Sequence, residues 1–183
     1  MKSRELVTLA PPPADPRFPP CWDDWARAES DLGITFPDDF KWLMSTYGRG
    51  RFYGVALLSP ACPPEPPLFY QWIQMELVSY AALQRDHPSF HCDLPPYPAE
   101  GGILPWATDW GGGMACWVMS GHPNEWPTVY LDDDWSDRYE RFEMGCVDFL
   151  VAWLNRSILP KSLSDPAHAD GPLFEPREPL TQR

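Results

Sequence analysis

The sequence predicts an α+β fold: an N-terminal helix pair, a mainly antiparallel sheet of about five or six strands, and a C-terminal helix. Three observations predict it. Apolar residues recur at helical spacing between Trp22 and Gly48, and again after Val147. Between these stretches lie short runs of strand formers separated by glycine- and proline-rich turns. Helices, then hairpin-linked strands, then a helix is an order that fits α+β better than alternating parallel units.

Residues 1–20 read as an extended N-terminal arm, because six of the 24 prolines fall within residues 11–20. In the first helix of the pair, Trp22, Trp25, Ala26 and Leu32 give an apolar stripe, and Gly33 closes it. In the second, Pro37 suits the first turn, and Asp38 and Asp39 place negative charge at the positive end of the helix dipole. Phe40, Leu43, Met44 and Tyr47 then fall at i, i+3, i+4 and i+7, and Gly48 stops the helix. Residues 51–58 are rich in strand formers and read as one strand ending at Ser59-Pro60. A proline loop follows. Residues 69–85 read as a third helix, with Trp72, Met75, Val78 or Ser79, and Ala82 on its apolar side. Four further strands are expected at 103–107, 114–120, 128–131 and 139–144, with the glycine turn 111–113 joining two of them. The closing helix runs from Val147 to Arg156, with Phe149, Leu150, Trp153 and Leu154 in stripe register. Residues 159–183 hold five more prolines without periodicity and read as a mobile tail. The domain proper is thus expected at 21–158.

Composition narrows the function. The chain has 183 residues, ten of them Trp, which suits a packed centre. Its net charge of −12 disfavours direct nucleic-acid binding, since phosphates would be repelled. Five cysteines, Cys21, Cys62, Cys92, Cys116 and Cys146, are odd in number and form no CxxC pair. The N-terminus lacks the apolar run of a secretory signal, so reduced thiols and a cytoplasmic location are expected. No apolar run approaches the roughly 20 residues of a membrane span.

Glu29-x-x-Leu32-Gly33-x-x-x-Pro37-x-Asp39-Phe40, followed by Tyr47-Gly48-x-Gly50, resembles the opening signature of the SUKH superfamily. The stretches 102–109, 113–117 and 126–129 resemble that superfamily's central strands, and 147–154 resembles its closing helix. The resemblance covers residues 21–158; the proline-rich stretch from Ser59 to Gly101 is longer than the superfamily pattern, and residues 1–20 match nothing in it. It implies an immunity protein of bacterial type that binds a toxin domain, often a nuclease. An alternative implied by the same resemblance is a regulatory or scaffold domain that recruits a cellular protein.

No residue set in the sequence makes a catalytic constellation, and no cofactor or metal is expected. His87-Pro-Ser-Phe-His91-Cys92 has ligand types, but Pro88 breaks the helix that would align the two imidazoles. The Asp132–Asp137 run lacks the spacing, the glycine and the terminal glutamate of a calcium loop. Gly111–Gly113 leads into a strand and has no lysine after it, so it reads as a turn rather than a phosphate cradle. Cys116 and Cys146 have apolar neighbours and read as buried thiols. What stands out is charge placement. Six acids within residues 21–47 face only Arg27 and Lys41, and six within 132–143 face only Arg138 and Arg141. A solubilising surface is the plain reading of such charge. The functional reading is an anionic docking surface for a basic toxin, centred on Asp132, Asp133, Asp134, Trp135 and Asp137, with Asp23, Asp24, Asp38 and Asp39 as a second patch. Trp135 would be its anchor.

Overall fold

Among the described residues, seven strands form one antiparallel sheet in the order β6-β5-β4-β3-β2-β1-β7, with helices packed against it. The computed structural model describes residues 1–61, 69–86, 92–132 and 139–177. Among them the α-helices are α1 (Ser3–Leu9), α2 (Trp22–Leu32), α3 (Asp38–Tyr47), α4 (Phe69–Asp86) and α5 (Cys146–Leu154). The strands are β1 (Gly50–Phe52), β2 (Val55–Leu57), β3 (Ile103–Thr108), β4 (Met114–Val118), β5 (Thr128–Leu131), β6 (Glu140–Phe142) and β7 (Phe174–Pro176). The α+β class holds, with more strands than the five or six expected and an added N-terminal helix.

The helix pair forms as its periodicity dictates. All four stripe residues of α3, Phe40, Leu43, Met44 and Tyr47, are buried. Helix α2 ends at Gly33 in the left-handed conformation. Its stripe holds at Leu32, which is buried, and at Trp25, which packs on Phe36 and Phe40, while Ala28 joins the core and Trp22 is 79% exposed. Trp22 stands at the first helical position, so it has no preceding turn to pack on. In α4 the expected register is wrong. The buried residues are Phe69, Ile73, Leu77 and Tyr80, while Met75 and Val78 face outward.

Strand periodicity builds two apolar layers. On β4, Ala115 and Trp117 join the main cluster beneath the helices, whereas Met114, Cys116 and Val118 join a second cluster with Ile103, Val129 and Leu131. Phe36, Phe40, Trp106, Trp126 and Trp117 form the aromatic centre of the main cluster, with Phe40 edge-on to Trp117 at 4.9 Å. A register shift between Pro105 and Ala107 lets Trp106 and Ala107 both enter the main cluster.

Three expectations are corrected. The single strand at 51–58 is a hairpin: Tyr53 and Gly54 both have positive φ (36° and 96°) and turn β1 back onto β2. Glycine is at home in that backbone, which the strand-forming neighbours concealed. Residues 1–20 are not wholly an extended arm, because α1 packs against α5 with Leu6 at 0% exposure. The Tyr47 hydroxyl donates to the Ala10 carbonyl at 2.7 Å and fixes the end of α1. Nor are residues 159–177 a mobile tail. Leu163 is buried, and β7 pairs with β1 through Arg51 opposite Glu175, placing Phe174 against Tyr47 and Phe52.

Candidate partner-binding surface

The acids expected to form a docking surface divide by what their carboxylates already hold. In α2, Asp24 accepts from the Cys21 N–H at 2.9 Å and from Arg27 at 2.8 Å, capping its own helix. Glu29 accepts from the Phe36 N–H at 2.9 Å and pairs with Lys41 at 2.7 Å, fastening the elbow between α2 and α3. Asp39 turns inward. It accepts from the Val147 N–H at 3.2 Å and supplies negative charge to the first turn of α5. A Cβ at Gly145 would stand 2.5 Å from the Asp39 carboxylate, so this close approach requires glycine there. Burial pushes the Asp39 carboxyl above its ordinary value, and hydrogen bonds from Val147 and Cys146 only partly oppose that.

Asp23, Asp31 and Asp38 are exposed. Asp38 nevertheless exchanges two hydrogen bonds with Asn124, donating its N–H to Oδ1 at 2.7 Å and accepting from Nδ2 at 2.8 Å. Asn124 lies in the short 3-10 turn Pro123–Glu125 between β4 and β5, so the start of α3 is tied to that end of the sheet. Asp132 follows β5 and is half-buried. Asp133, Asp134, Trp135 and Asp137 lie outside the described residues. The antiparallel register of β4 and β5 puts Thr128 beside Trp117 and Leu131 beside Met114. Asp132 therefore leaves the sheet at the end opposite the 119–127 connection that holds Asn124. The structure does not gather Asp38 and Asp132 at one end.

The other candidate chemistry resolves as follows. Asp109 Oδ1 accepts from the N–H groups of Gly111, Gly112 and Gly113 at 2.8, 2.9 and 2.9 Å, and the Tyr130 hydroxyl donates to its other oxygen. The glycine run is a turn organised around a carboxylate. Cys116 and Cys146 are fully buried, and burial pushes both thiols well up, which keeps them protonated. Cys92 is buried, and its sulfur accepts from the Tyr80 hydroxyl. His87 and His91 lie outside the described residues. Among the described residues no group of three or more His, Cys, Asp or Glu is placed to hold a metal, and no helix is long and apolar enough to cross a membrane.

Sequence reasoning missed a basic counterpart to these acids. Arg51 and Arg177 lie 4.6 and 4.8 Å from the ring centroid of Trp110, which is 69% exposed. The signal was present only as scattered arginines, because the fold of β1 and β7 is what brings them together.

A helix pair over one face of an antiparallel sheet, closed by a helix whose start is held by Asp39 of the pair, is an α+β arrangement in line with the SUKH superfamily. Residues 23–150 match the model of the family described as SMI1-KNR4 cell-wall (SUKH_6), and the chain belongs to that family. No curated protein matches the chain.

Proposed function

We propose that the chain is a non-enzymatic immunity protein that acts in the cytoplasm by binding and neutralising a cognate toxin domain through an acidic surface. Membership of the SUKH family in a chain of net charge −12 carries this reading. A nuclease toxin needs a positive cleft to hold phosphates, and an acidic protein is steered onto such a cleft and covers it without catalytic residues. Exposed Asp23, Asp31 and Asp38 supply part of that charge, and the Asp132–Asp137 run supplies more. A second reading is a regulatory or scaffold protein-interaction domain of the same superfamily.

The test is co-expression with the toxin domain encoded beside it, followed by binding kinetics. Replacing Asp132, Asp133 and Asp134 together by Asn should leave folding intact and slow association, because removed rim charges act on the encounter rate. Raised salt should weaken the parent more than the variant. Trp135→Ala should instead speed dissociation. Unchanged affinity and salt dependence in the triple variant would move the interface to Asp23 and Asp38, and absence of both protection and binding would favour the regulatory reading.

A further inference from the structure

In a chain of net charge −12, the β7 edge of the sheet gathers cations. Arg51 on β1 stands opposite Glu175 on β7, and the Arg177 N–H donates to the Arg49 carbonyl at 3.0 Å. The ladder thereby brings three arginines to one edge. Their only carboxylate neighbour in that ladder is Glu175, which pairs with Arg51 at 2.6 Å. Arg49 and Arg177 make no ion pair among the described residues. Burial first, and then the neighbouring Arg51 and Arg49, push the Arg177 guanidinium down from its ordinary value, with Glu175 partly opposing them.

Trp110 lies under this cluster, exposed beside a cleft of about 260 Å³ whose walls include Tyr53, Leu163, Ser162, Ser164 and Asp109, the last with its carboxylate already taken up by Gly111–Gly113 and Tyr130. We propose that this edge docks an acidic segment of a partner protein. Its carboxylates would be taken by Arg49 and Arg177, and one of its apolar side chains would sit in the cleft beside Trp110. Guanidinium groups bind carboxylates through paired hydrogen bonds, and an exposed indole beside a cleft favours a mixed apolar and acidic chain.

The neighbouring geometry selects this occupant. A free phosphate would satisfy guanidinium groups but leave the exposed Trp110 indole and the cleft beside it uncovered, and the Gly111–Gly113 N–H groups, held by Asp109, add no anion cradle there. A long polyanion such as single-stranded DNA would meet repulsion from the rest of the surface. Addition of a strand to β7 is hindered by Pro176, which has no N–H to offer. Recognition therefore falls to side chains. This site is distinct from the acidic surface proposed above and has the opposite charge preference.

The probe is a short fluorescein-labelled peptide of alternating glutamate and leucine, titrated with the full chain and followed by anisotropy. A Kd below about 100 µM in low salt is expected, with a lysine-for-glutamate peptide failing to bind. Combined Arg49→Glu and Arg177→Glu should abolish binding while leaving the thermal midpoint in place. The milder Arg177→Gln should weaken binding by about tenfold, as expected for one lost charged contact. Trp110→Ala should weaken it as well. No binding up to about 1 mM, equal binding by the charge-reversed variant, or tighter binding of a single-stranded oligonucleotide of equal charge would overturn the proposal.

Discussion

Leu6→Ala tests whether the N-terminal segment belongs to the core. Leu6 is fully buried in the main apolar cluster, on a helix of seven residues that packs against α5. Truncating a buried leucine costs about 2.7–5.0 kcal/mol, the lower values where the surroundings collapse into the space. Leu6 is the single buried residue of this short helix, so a value toward the lower end, about 3 kcal/mol, is expected here. For a chain of this size each kcal/mol lowers the midpoint by about 2–4 °C, giving a fall of about 6–12 °C. Differential scanning calorimetry reads this directly, with Val7→Ala as the control because Val7 is 36% exposed. The control should move by less than about 2 °C. An equally small shift in Leu6→Ala would refute the reasoning, since α1 would then detach at little cost before the rest unfolds. Removal of residues 1–18 should do more than Leu6→Ala. It also leaves the Tyr47 hydroxyl buried without the Ala10 carbonyl that accepts from it.

Other perturbations follow from the same geometry. Leu43→Ala should cost about 2–5 kcal/mol in chemical denaturation, because Leu43 is fully buried in the main apolar cluster; an unchanged midpoint would contradict that packing. Phe174→Ala should cost about 3–5 kcal/mol and release β7, read as lost amide protection across Arg51 and Phe52. The Asp39 carboxyl has its pKa raised by burial, so its favourable contribution is complete below the ordinary value of 3.8 and is lost as pH rises through the folded pKa. Asp39→Asn keeps an acceptor for the Val147 N–H and removes that loss. Its stability relative to the parent should therefore rise as the pH is raised above 3.8 in parallel urea titrations, and a constant difference would refute the burial argument.

What the sequence disclosed depended on how many residues carried each signal. The α3 stripe spans two turns and has one apolar side, so its register was legible to the residue. Helix α4 carries apolar residues on several sides, Trp72, Met75 and Val78 as well as Phe69, Ile73 and Leu77, and periodicity alone could not choose between them. Strands β3 to β5 were legible because β-branched, aromatic and sulfur-bearing residues crowd both of their faces. The elements at the ends were not. Helix α1 exposes a single buried leucine to a pattern search, and β7 offers only Phe174 between prolines. Both exist because the core has a place for that one side chain, which is a property of the assembled fold. The site was legible in part: the density of acids showed, but their partners did not.

Those partners change what the acids can do. Asp24, Glu29 and Asp39 each complete a backbone hydrogen bond at a helix start or elbow, so their charge is fixed in place and partly neutralised by the structure itself. Long-range attraction of a basic partner depends on net charge, to which every acid contributes wherever it points. Close contact depends on carboxylates that are free to change partners, and in the helix pair these reduce to Asp23 and Asp31, with Asp38 already shared by Asn124. Substituting Asp24 or Glu29 would weaken folding and binding together and could not separate them. The informative variants are Asp23→Asn with Asp31→Asn, which preserve the Asp24 cap and the Glu29 elbow bond while lowering the surface charge. The arginine edge at β7 supplies a counterweight: its three cations belong to the β1–β7 ladder, a different element from the α2 helix that carries Asp23 and Asp31. A chain that carries both signs on separate elements has the means to hold two partners of opposite charge at once.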